Sequence, residues 1–63
     1  MPKYATIRPD LAMVVAARCI RIRDDKKLRG NALAGYRSIT SRAWNKLTAH
    51  EQARVTALTG MSF

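Results

Sequence analysis

Acidic side chains are scarce in this chain, with 4 Asp and Glu against 12 Lys and Arg. It has one cysteine, Cys19, and one histidine, His50, so neither an internal disulfide nor a zinc site can be assembled from its own side chains. The longest uncharged apolar run, Leu11 to Ala17, is far too short to span a bilayer. That run also follows Asp10, is interrupted by Arg18 and lacks a small-residue cleavage site, which argues against a signal peptide. No membrane partner is expected, and a cytoplasmic location is, in keeping with a lone cysteine.

Catalytic parts are equally sparse. Cys19 lies in the apolar run, where a free thiol behaves as a small hydrophobe, and His50 falls in the first turn of a helix, as an exposed residue. The four carboxylates each have a structural explanation: Asp10 at a helix start, Asp24 and Asp25 amid basic residues, and Glu51 in a cap. Gly30, Gly35 and Gly60 do not have the spacing of a phosphate-binding loop. The expectation is a protein that is not an enzyme and that takes no cofactor and no metal.

What is present is positive charge and helical periodicity. The formal net charge is +8, spread over both halves of the chain, and a small domain this basic attracts polyanions or acidic protein surfaces. Sixty-three residues make one domain, and a chain of that size buries only roughly 60% of its unfolded surface. Without a disulfide or metal to reinforce so small a core, a second copy or a partner protein is the expected support.

Residues 1–8 alternate like a short strand, with Tyr4, Thr6 and Arg8 on one side. They are read as an N-terminal arm, either a strand that pairs with another chain or a tail. Pro9 and Asp10 open a long first helix that is expected to run to Arg29 and stop at Gly30. Alternation through residues 19–23 is a competing strand signal, but no turn residue separates it from the run before. At about 100° per residue, Leu11, Val15, Cys19 and Ile22 share one side, and Met13, Ala17, Ile20 and Leu28 the opposite side. A helix apolar on two sides is buried on two sides, so the second is a candidate oligomer or partner face.

Asn31 is the expected N-cap of a second helix, with Leu33, Tyr36, Thr40, Ala43, Trp44 and Leu47 on its apolar stripe. Gly35 costs about 1 kcal/mol there relative to alanine. Either a backbone approaches closely at that point or the helix begins later, near Ser38. Thr48-Ala49-His50-Glu51 matches a capping box for a third helix, with Ala53, Val55 and Leu58 as its apolar contacts and Gly60 closing it. The fold expected is all-α, a small three-helix bundle over residues 9–60 with a C-terminal tail at 61–63, assembled as a homo-oligomer.

The strongest functional candidates are Arg18, Arg21, Arg23, Lys26, Lys27 and Arg29, with Arg37 and Arg42 on the second helix. Arginine predominates, which suits two-pronged contact with phosphate or carboxylate. Two partners fit this cluster: nucleic acid, DNA or RNA, bound by a small regulator, or an acidic surface on a larger protein, docked by an accessory or inhibitor protein. The order of an alternating segment ending in Pro9, a helix, a Gly30-Asn31 turn and a second helix resembles ribbon-helix-helix DNA-binding proteins. That resemblance implies that strands from two subunits enter the major groove and that Tyr4, Thr6 and Arg8 read it. The sequence departs from that family in its longer first helix and its added third helix.

Overall fold

The computed structural model describes residues 10–63. They form three helices and, among the described residues, no strand: α1 (Leu11–Asp24), α2 (Gly30–Asn45) and α3 (Ala49–Thr59). The all-α, three-helix expectation is met. The strand or arm expected at residues 1–8 lies outside the described residues, as do the groove readers implied by the ribbon-helix-helix resemblance.

Helix α1 starts on Asp10, whose Oδ1 accepts the Ala12 backbone N–H at 3.0 Å. It ends five residues earlier than expected, at Asp24. The stop falls at Asp25, whose backbone leaves the helical conformation, ψ 102°, while its N–H still donates to the Arg21 carbonyl. Asp25 then folds the chain into a turn, its Oδ1 accepting from the Lys27 backbone N–H at 2.9 Å and its carbonyl from the Leu28 N–H at 3.2 Å. Residues 25–29 are therefore a connection, and the basic run is not one helical face.

Gly30 is likewise not the stop of α1 but the first residue of α2, with φ at 67°. The N-cap is Arg29, whose side chain makes no cap hydrogen bond, so Asn31 is not the cap. Both sequence accounts of Gly35 are overturned as well. The helix is already formed there, and a Cβ added to Gly35 would meet nothing within 4 Å.

The core gathers Ala12, Val15, Ala16 and Cys19 from α1, Ala43 and Trp44 from α2, Leu47 after it, and Val55 from α3. Helix α1 packs against both other helices, whereas α2 and α3 share little contact of their own. Small residues at 12 and 16 let the neighbouring helices come close to α1, and Trp44 supplies the bulk between them. Met61 and Phe63 pack onto this cluster, with the Phe63 ring edge-on to Trp44 at 6.1 Å between centroids.

Two hydroxyls are fully enclosed with the apolar side chains. Thr40 donates to the Tyr36 carbonyl at 2.7 Å and Thr59 to the Val55 carbonyl at 2.8 Å, each one helical turn back. A threonine satisfied in this way can be buried without an unpaired donor. This decides the inner face of α3, which is Val55 and Thr59. Ala53 and Leu58 are exposed, Leu58 at 56%, contrary to the apolar contacts expected for them.

The capping box is present as expected. Thr48 Oγ1 accepts the Glu51 N–H at 3.1 Å and Glu51 Oε1 accepts the Thr48 N–H at 2.9 Å. Gly60 ends α3 in the left-handed conformation, φ 74°, with its N–H donating to the Thr56 carbonyl at 2.8 Å. Gln52 donates to the Trp44 carbonyl at 3.0 Å, beside the Leu47 N–H that the same oxygen accepts, and so ties α3 to the end of α2.

Candidate nucleic-acid interface

The eight basic residues singled out by sequence are distributed over three parts of the fold. Arg18, Arg21 and Arg23 belong to α1, Lys26, Lys27 and Arg29 to the connection, and Arg37 and Arg42 to α2. All are exposed except Arg18, which is half-buried.

Two of the eight are occupied. Arg21 Nε lies 3.3 Å from Asp25 Oδ2, and its guanidinium stands 5.0 Å from the centre of the half-buried Tyr36 ring. Arg23 grips Asp24 with Nε and Nη2, both at 2.8 Å, and donates through Nη1 to the Thr59 carbonyl at 3.1 Å. Arg23 thus ties the end of α1 to the end of α3, placing a cation where the carbonyls of α3 are unpaired. These contacts hold both carboxyls below the usual range. For Asp24 the main cause is the Arg23 guanidinium, and for Asp25 it is the Lys27 backbone N–H, followed by Arg21.

A third pair was not visible in the sequence. Arg54 Nη2 on α3 meets Asp10 Oδ2 at 2.8 Å, across a separation of 44 residues. Surface pairs of this kind contribute at most about 1 kcal/mol. Their consequence for function is larger: with Glu51 engaged in the cap, each of the four carboxylates already has a partner.

Seven cations of the described residues make no ion pair within them: Arg18, Lys26, Lys27, Arg29, Arg37, Arg42 and Lys46. Lys46 caps the end of α2 and was not among the candidates, although it lies on the same polar side as Arg42. Arg37 is held 5.3 Å from the centre of the Phe63 ring, a contact that restricts the side chain without neutralising it.

The apolar candidates also separate. Met13 is 53% and Ile20 40% exposed, with the exposed Ala17 between them. Leu28 does not belong to that face, because it lies in the connection after α1, half-buried. On the opposite side Val15 and Cys19 are fully buried, while Leu11 is exposed and Ile22 half-buried. Burial pushes the Cys19 thiol up, partly offset by the Thr59 hydroxyl and by Arg37. His50 is on the surface.

Among the described residues no pocket forms, no group of His, Cys, Asp and Glu is arranged to hold a metal, and no helix is long and apolar enough to cross a membrane. No family model matches the chain, and no curated protein or solved structure matches it at a significant level.

Proposed function

We propose that this chain is a small non-enzymatic regulator that binds nucleic acid through its Arg- and Lys-rich surface. The observation that carries the reading is the imbalance just described: every carboxylate is engaged, and seven cations, six of them exposed, are left without one among the described residues. A polyanion supplies the missing counter-charge. Its own condensed counterions are released on binding, which drives association.

The test is fluorescence anisotropy with duplex DNA, single-stranded DNA and RNA over a range of salt. Log affinity should fall linearly with log salt at a slope of about −0.9 per duplex phosphate contacted. Replacing Lys26 and Lys27 together by glutamine should flatten that slope by roughly 2. Absence of binding to all three nucleic acids at low salt refutes the proposal.

A second reading is supported by a different observation, the exposure of Met13 and Ile20 on one side of α1. In it the chain is an accessory or inhibitor protein that lays this face into an acidic groove of a larger protein, the arginines facing carboxylates at the rim. Met13→Asp and Ile20→Asp should then abolish capture of that partner. A complex indifferent to both substitutions rejects this version, and sedimentation equilibrium of the isolated chain shows whether the face pairs two copies instead.

A further inference from the structure

We propose that the solvent face of α2 enters the major groove of duplex DNA. This rests on the reading that the chain binds nucleic acid and narrows it to one form and one element.

The inner side of α2 is fixed by Thr40, Ala43 and Trp44, which are buried. Opposite them, at intervals of three and four residues, stand Asn31, Ala34, Gly35, Ser38, Arg42 and Asn45, all exposed. The polar side chains among them make no hydrogen bond within the described residues, so their donors and acceptors are available to a ligand. Alone among the three helices, α2 contains no Asp or Glu. A helix without carboxylates can approach two phosphate walls at once without repulsion.

The residue types match what a base edge requires. Arginine pairs with the O6 and N7 of guanine, asparagine with the N6 and N7 of adenine, and serine with either kind of edge. Ala34 and Gly35 leave the N-terminal part of the face low, where the helix backbone can come nearest the base pairs. Cations flank this row. Lys26, Lys27 and Arg29 precede its first turn, Arg37 lies on one side, and Lys46 stands at its far end.

Dimensions select the partner. From Asn31 to Asn45 the face runs roughly 21 Å, and the major groove of B-form DNA, about 12 Å wide, admits an α-helix. The deep, narrow major groove of A-form RNA does not, and a single strand has no groove to enter.

The experiment is selection of random-sequence duplexes by the full chain, followed by dimethyl sulfate footprinting on a selected duplex. A position-specific consensus, with protection of guanine N7 in the major groove, is the expected result. Arg42→Ala should weaken the selected duplex by about tenfold or more while changing the affinity for random duplex far less. Lys26→Gln with Lys27→Gln should weaken both alike. Helix content and melting of each variant are measured by circular dichroism, and Asn45→Ala serves as a second face variant if Arg42→Ala melts early. Salt-dependent binding without consensus or N7 protection, or a preference for RNA or single strands, overturns the groove assignment and leaves the nucleic-acid reading standing. Failure to bind any nucleic acid, with capture of an acidic protein instead, overturns both.

Discussion

Replacing Gly35 by alanine should stabilise the protein. The residue sits inside α2, without the positive φ found at Gly30 and Gly60, and an added Cβ meets nothing within 4 Å. No packing gain or clash therefore competes with intrinsic helix preference, and the full difference between the two residues is realised, about 1 kcal/mol. For a domain of this size that corresponds to a melting temperature higher by roughly 4–8 °C. Thermal unfolding followed at 222 nm, together with urea midpoints, measures it. Gly60→Ala is the matched control. Its φ of 74° is strained for any residue with a Cβ, so the same chemical change there should lower stability by about 1 kcal/mol. An unchanged or lowered melting temperature for Gly35→Ala would refute a formed, solvent-facing turn of α2 at that position.

Three further outcomes follow from the same contacts. Thr48→Ala removes the acceptor for the Glu51 N–H and should cost about 1 kcal/mol in urea unfolding, with Glu51→Ala largely non-additive because the box is one reciprocal unit. Asp24 and Asp25 titrate lower in the folded chain than in the unfolded one, so the folded state binds fewer protons there. Stability from these groups is complete above the ordinary carboxylate value of 3.8 and is lost as pH falls through the lower folded values; urea midpoints should drop in acid, and less so for Asp25→Asn. Cys19 is fully buried with its thiol pushed up, so a thiol reagent should label the native chain slowly and the urea-unfolded chain at once, whereas fast native labelling would place Cys19 outside the core.

What could be read from the sequence was local. The capping box at Thr48 to Glu51 and the glycine stop at Gly60 depend on residues within one turn of each other, and both appear as written. The stripe through Thr40, Ala43, Trp44 and Leu47 was equally plain, because a large aromatic in helical register with small neighbours has few alternatives to burial. The end of α1 is harder to read, because Asp24 and Asp25 stand within a turn of Arg21, Lys27 and Arg29 and fit ion pairs along a continuing helix equally well. The ability of Asp25 to hold a turn, accepting the Lys27 N–H two residues on, decides the matter instead.

The inner face of α3 was illegible for another reason. Hydropathy ranks Leu58 above Thr59, yet Thr59 is enclosed, because a back-bonded hydroxyl loses its cost of burial. The candidate basic residues were found by charge alone, but charge does not show which of them are already paired. Arg23 spans two helix ends and Arg54 reaches Asp10 from the far end of the chain, and both contacts exist only once the helices have packed. The polar row on the outside of α2 does carry a signal in the sequence, the absence of any acid from Gly30 to Asn45.

The first ten residues of α2 include no buried side chain; Thr40 is the earliest residue of that helix to be enclosed. Its N-terminal end also lacks a side-chain cap. Backbone amides in this half should therefore open by local fraying, at a free energy well below that of global unfolding, while those of α1 around Val15 and Cys19 should exchange only when the whole domain opens. Hydrogen exchange should then divide α2 in two near Thr40. A ligand that covers this half of α2 favours the closed helix, so protection of those amides directly reports occupancy.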